Sequence, residues 1–192
     1  KISVVELGPG NGTLSLGLLN AFKKFKQFNN AVDLKLLEVS PVLKKIQKQK
    51  IKQNNVRWIK NLNEIKSGPV IFLCNEFFDS LPIKQFYKKN NIFFEKYVSL
   101  LDNSKLKFVL KKTSSEIIKK LQKFKLISNN KIIEYPIDSI SYLNSISAKI
   151  NKLDGCLLMI DYGYVKNKNQ NTLQSVKNHN YNYILSDVGN SD

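Results

Sequence analysis

Residues 3–12, Ser-Val-Val-Glu-Leu-Gly-Pro-Gly-Asn-Gly, decide the fold. A β-branched apolar run delivers one acid, Glu6, into glycines at alternate positions, Gly8, Gly10 and Gly12. Thr13 follows, and then apolar residues at Leu14, Leu16, Leu18, Leu19 and Phe22 with helical periodicity. The pattern predicts a strand, a glycine turn and a helix. Small residues there let a ligand approach the backbone at a helix N-terminus. The spacing is G-x-G-x-G, not the G-x-G-x-x-G of a dinucleotide site.

Outward from that unit, strands and helices alternate as in a parallel α/β sheet. Strands are predicted at Ile2–Leu7, Asp33–Val39, Val56–Ile59, Val70–Cys74 and Cys156–Ile160, and helices at Thr13–Phe25 and from Pro41 to Lys52. Ser40-Pro41 supplies the second helix with an N-cap followed by proline at its first position. Residues 84–112 change character. Gln85–Lys88, Ile92–Leu100 and Leu106–Lys112 are extended runs split by Asn90-Asn91 and by Asp102–Ser104, the signature of an antiparallel β insertion. Ser114–Phe124 and Ile137–Lys152 are predicted helical, and 165–192 mostly loop with one short helix. The chain is thus expected to form a single domain over residues 1–192. It starts at Lys1 without Met and stops at Asp192 with no closing element, as a fragment truncated at both ends would.

Composition narrows the function classes. No apolar run approaches the length of a membrane span. The formal charge of +16 would ordinarily suggest nucleic acid, yet Arg57 is the only arginine among 31 basic residues. Phosphate and base readers favour the bidentate arginine fork, so Lys44, Lys45, Lys48, Lys50 and Lys52 are read as a solvated helix face. Cys74 and Cys156, inside predicted buried strands, are expected to be reduced thiols of a cytosol-like compartment. The single His179 builds no metal site, so no metal is expected.

Ligands of open α/β sheets bind beyond the carboxyl ends of the strands. Five of the fifteen acids fall there: Glu6, Glu38, Glu76, Asp79 and Asp161. They are expected to line an acidic crevice in a basic shell. Glu38, ending the second strand, suits two ribose hydroxyls; its structural alternative is an acid favouring the following helix dipole. Glu6 loses solvation unless a cation or hydrogen-bond donor meets it. A cofactor carrying an ammonium and a sulfonium is one such partner, and the amides of the glycine loop are another. Asn75, Glu76 and Asp79 follow the fourth strand, beside the reactive end of a cofactor bound there. Two carboxylates three residues apart can hold a cationic group, each contributing on the order of 4 kcal/mol at about 4 Å and an effective dielectric of about 20. Capping by Asp79 and a solvated Glu76 is the alternative. Phe77 and Phe78 are read as core, with one of them facing the pocket as the alternative. Asp161-Tyr162-Gly163 either walls the pocket or turns the chain.

These blocks together resemble the MidA-like S-adenosylmethionine (SAM) methyltransferases. The matching segments are ELGPGNGTL (Glu6–Leu14), EVSPVLKKIQ (Glu38–Gln47), Trp58, NEFFDSLP (Asn75–Pro82), DYG (Asp161–Gly163) and TLQSVKNH (Thr172–His179), in family order. The resemblance implies a Rossmann-like class I fold with helices on both faces of the sheet. It also implies a SAM site on Glu6, Gly8, Gly10, Gly12, Glu38 and Asn75, with Glu76 and Asp79 as catalytic residues. It further implies methylation of a protein arginine, such as one on a respiratory complex I subunit, in a bacterial cytoplasm or a mitochondrial matrix. Asn11 stands where the family often has arginine, and Gly17 where an acid is common. The rival readings are an NAD or nucleotide-sugar enzyme, a non-enzymatic assembly protein on the same fold, and an RNA methyltransferase.

Overall fold

The computed structural model describes residues 1–101, 105–127, 132–164 and 171–191, which fall into two compact units. The first comprises Lys1–Leu81 and Asp138–Gly163. Its strands are β1 (Ile2–Leu7), β2 (Val32–Leu37), β3 (Val56–Ile59), β4 (Val70–Asn75) and a later strand, Gly155–Ile160. They form one sheet in which β3, β2, β1, β4 and Gly155–Ile160 are neighbours in that order, all parallel. The order reverses at β1, which lies between β2 and β4, so the segment leaving β1 emerges at the switch point where such sheets bind ligands.

Alternation along the strands builds two cores. Val4, Leu34 and Leu36 face one side, where they meet Leu19 and Phe22 of α1 (Thr13–Lys23) and Ile51, which ends α3 (Pro41–Lys50). Val5, Leu7 and Phe72 face the other, against Ile146 of the helix Ile137–Leu153. Helices therefore cover both faces. The N-cap of α3 is as expected: the Ser40 hydroxyl accepts from Leu43 N at 3.3 Å, and Pro41 opens the helix.

One helix boundary and the burial of one strand differ from expectation. The first helix stops at Lys23, and a separate α2, Lys26–Ala31, folds back so that Phe28 meets Phe22 edge-on with centroids 5.0 Å apart. That contact has no local periodic signature. Among the described residues Gly155–Ile160 ends the sheet, with Leu158, Met159 and Ile160 about half exposed where a buried strand was expected. An apolar run predicts a strand, but only neighbours decide whether its faces are covered. For the same reason Cys156 is exposed, while Cys74 in β4 is buried as expected.

The second unit comprises Pro82–Ile137 and Tyr164–Asp192. Its sheet contains β5 (Lys84–Lys89), β6 (Ile92–Leu100), β7 (Leu106–Lys112) and β8 (Ile132–Tyr135), antiparallel, in the order β7-β6-β5-β8. Asn90 and Asn91 both adopt positive φ, as a tight hairpin turn requires. The second predicted break, 102–104, lies outside the described residues. The sheet extends beyond the predicted insertion, because β8 pairs with β5 across a long stretch of chain and is too short to show in sequence. Helix α4, Ser115–Lys123, is capped by Ser114, and the longer Ile137–Leu153 is α5. With Gly155–Ile160 as β9, the tail contributes the hairpin β10 (Ser175–Lys177) and β11 (Asn180–Asn182), and the short helix expected within 165–192 is not found among the described residues.

Candidate functional site

At the carboxyl edge of the first unit's sheet, the glycine loop follows β1. Gly8, Gly10 and Gly12 have φ of +63°, +53° and +76°, a left-handed run that residues with side chains adopt only under strain. Gly8 N donates to Leu37 O at 3.0 Å, which ties the loop to the end of β2. A Cβ on Gly8 would come within 2.7 Å of Phe77 Cδ2, whereas one on Gly10 would meet nothing within 4 Å. The loop is packed behind and open in front.

Glu38 is buried at the end of β2. Its Oε1 accepts from Ser40 N at 2.8 Å and its Oε2 from Gln47 Nε2 at 3.1 Å. Each oxygen keeps acceptor capacity for a further donor, which fits a ribose diol. The helix-favouring alternative also has support, since Ser40 is the N-cap of α3.

Glu6 turns the other way. It is 2% exposed, and its Oε2 accepts from the Ser15 hydroxyl in the first turns of α1. Among the described residues its partner is this hydroxyl rather than the loop amides. Burial raises its carboxyl above the ordinary glutamate value, and the Ser15 hydrogen bond lowers it only in part. A carboxyl raised in the folded state contributes stability at low pH that is lost as pH rises through its folded pKa. The melting temperature of Glu6→Gln is therefore expected to match wild type near about pH 4 and to exceed it by about pH 8. A difference that stays constant over that range would contradict the assignment.

Beyond β4, Glu76 has φ +47° and its N–H donates to Ile160 O at 2.9 Å, so the β4–β9 pairing continues one residue past the strand. Asp161 then reaches across. Its Oδ2 accepts from Phe78 N and from Asp79 N, both at 3.2 Å, and its Oδ1 from Tyr162 N at 2.8 Å. Asp79 is exposed, and its carboxyl is raised by partial burial and then by the Asp161 charge. The Glu76 charge raises the Tyr162 phenol. Asp161 thus acts on the turn that carries both candidate catalytic acids. Its signal in sequence was an acid directly after an apolar strand, which did not reveal its neighbours. Asp161→Asn is expected to shift the Asp79 titration to lower pH, read by carbon NMR of its carboxyl. An unmoved Asp79 would mean that the two carboxylates do not interact.

The five acids differ in their partners. Glu76, Asp79 and Asp161 group at the ends of β4 and β9, while Glu38 and Glu6 are each held by their own donors. Asn75 closes β4 opposite Ile160. Phe77 is core, as expected, edge-on to Tyr142 and Phe78. Cys74 is pushed up to about 12 by burial and the Asp161 charge, which leaves it an unreactive thiol. A cavity of about 610 Å³ opens where β2 and β3 end, lined by Leu37, Lys60–Asn63 and the α5 residues Asp138, Tyr142 and Lys149. Sequence reasoning assigned nothing to these positions. Among the described residues no group of three or more His, Cys, Asp or Glu could hold a metal ion, and no helix is long and apolar enough to cross a membrane.

A parallel sheet with a left-handed glycine loop at its switch point and a buried acid ending the next strand defines a Rossmann-like nucleoside-cofactor protein. The family described as "Putative S-adenosyl-L-methionine-dependent methyltransferase" matches residues 1–192, and the chain belongs to it. The cofactor of this family is SAM, which removes the dinucleotide reading. Similar curated proteins are "Protein arginine methyltransferase NDUFAF7 homolog, mitochondrial" from Caenorhabditis elegans, 29% identical over 211 residues, and the Homo sapiens NDUFAF7, 26% identical over 215. Each alignment covers 98% of this chain but 49% and 48% of the relative, so the chain spans about half their length. Two solved Burkholderia thailandensis structures share the fold over the whole chain, with TM-scores of 0.78 and 0.77 at 20% and 21% identity. This chain covers 53% and 51% of them, and the second holds S-adenosyl-homocysteine.

Proposed function

We propose that the protein transfers the methyl group of SAM to an arginine side chain of a protein substrate. The observation that carries this reading is the group of three carboxylates, Glu76, Asp79 and Asp161, at the ends of β4 and β9. The names of the similar curated proteins point to the same acceptor. In this reading Gly8, Gly10, Gly12 and Glu38 hold the cofactor through the loop backbone and the ribose, with Asn75 and Glu6 beside them. When bound, SAM supplies an electrophilic methyl on a sulfonium.

Arginine stays protonated at any physiological pH. The acceptor site must therefore offset a second cation next to the first. Glu76 and Asp79 accept hydrogen bonds from the guanidinium and orient one nitrogen toward the methyl group. The raised Asp79 carboxyl suits uptake of the proton that the nitrogen releases as its new bond forms. Such orientation supplies about 7–11 kcal/mol of barrier reduction without a covalent intermediate. A partner on respiratory complex I is the substrate that the family resemblance implies.

The test uses SAM labelled in its methyl group with an unmethylated protein extract, followed by acid hydrolysis. Label in methylarginine, lost in Glu76→Gln and Asp79→Asn, supports the reading. Label in another residue or in RNA would refute it, and a folded, SAM-binding protein that labels nothing favours the assembly-protein alternative.

A further inference from the structure

The motif EVSPVLKKIQ ends in Gln47, so far met only as one donor to Glu38, and Trp58 is matched separately with no part assigned above. The structure brings them together. Gln47 lies on α3, is fully buried, and uses both ends of its amide. Its Nε2 donates to Gly10 O at 2.7 Å and to Glu38 Oε2 at 3.1 Å, while its Oε1 accepts from Trp58 Nε1 at 2.8 Å. An indole nitrogen can only donate. Trp58 therefore dictates which way the amide points, and both N–H groups must face the glycine loop and the acid. A leucine or methionine would fill the same volume. The amide adds direction.

We propose that Gln47 is a positioning residue of the cofactor site, holding the Gly10 carbonyl and the Glu38 carboxylate at a set separation under the control of Trp58. The inference rests on the reading that the glycine loop and Glu38 bind SAM. The surrounding geometry agrees. A Cβ on Gly12 would meet Ile51 Cδ1 at 3.2 Å and Gln47 Cγ at 3.4 Å, so the loop lies against α3 with no room between them. On its other side the Gly10 position is open. The loop is thus tethered from behind by one amide, and that amide also sets the free lone pairs of the ribose acid.

The test is titration calorimetry of S-adenosyl-homocysteine on the full chain for wild type, Gln47→Leu, Glu38→Ala and the double variant, with circular dichroism to establish folding. Trp58 is the only tryptophan, so its emission provides an independent readout. Gln47→Leu is expected to raise the dissociation constant about tenfold, the scale of losing one hydrogen bond to a charged group. The factor lost on Glu38→Ala should be markedly smaller in the Gln47→Leu background, because the two residues act together. Ligand binding should change Trp58 emission in wild type and much less in Gln47→Leu. Equal Glu38→Ala losses in both backgrounds, or wild-type affinity in folded Gln47→Leu, would overturn the inference. If Gln47→Leu does not fold, Trp58→Phe removes only the indole donor, and its affinity and coupling to Glu38→Ala are judged by the same criteria. A Glu38→Ala chain that binds as wild type would instead refute the underlying site, which keeps the two failures apart.

Discussion

Glu38→Ala is expected to weaken S-adenosyl-homocysteine binding by roughly 30- to 140-fold, about 2–3 kcal/mol. In the proposed site this carboxylate is the group placed to accept from two ribose hydroxyls. Hydrogen bonds to charged groups are worth about 1.5–3 kcal/mol each, and water recovers part of that in the variant. The substitution also removes the acceptor of Ser40 N and one of the acceptors of Gln47 Nε2. Some loss of α3 capping should accompany the loss of affinity. Glu38→Gln separates the two effects, because it keeps an acceptor near Ser40 while surrendering the charge. It should melt close to wild type and still bind weakly. A folded Glu38→Ala chain with unchanged affinity would remove the ribose role.

Gly8→Ala should be the most damaging single-methyl change at the site. Two penalties combine at this position. A left-handed backbone costs an alanine about 1–2 kcal/mol, and overpacking adds about 1–3 kcal/mol. The overpacking arises because the new Cβ would lie 2.7 Å from the buried Phe77 ring. The combined expectation is a loss of about 2–5 kcal/mol in urea denaturation, together with loss of cofactor binding. Gly10→Ala is the control, since it carries the left-handed penalty with no neighbour within 4 Å. It should fold with the smaller loss yet bind poorly, because its methyl occupies the face left open to the ligand. Phe77→Leu in the Gly8→Ala background should recover stability but not the left-handed penalty. Equal losses in Gly8→Ala and Gly10→Ala would show that packing against Phe77 is unimportant.

Much of the fold was legible because its signals are local. Three glycines at alternate positions announce positive φ, and Ser40-Pro41 announces a helix start. Asn90-Asn91 between two alternating runs announces a hairpin. These devices act within a few residues, so the strand, loop and helix that carry the candidate cofactor site follow from their own composition. What escaped was non-local. Strand β8 has four residues and no meaning until it meets β5. The helix predicted through Phe25 breaks so that Phe28 can reach Phe22. Burial of β9 was overestimated because hydrophobicity reports a preference, and coverage depends on what else packs there.

The candidate site divides along the same line. The sequence alone determined which residues stand at the carboxyl ends of the strands, because strand register and glycine conformation are set by neighbours in the chain. Tertiary structure alone decided their partners. Asp161 reaches amides 82 and 83 positions away, Gln47 bridges to Gly10 across 37, and Glu6 turns from the loop to Ser15. A hydrogen bond needs donor and acceptor within about 3 Å and aligned, and that condition belongs to the packed sheet and its helices, not to any stretch of the chain.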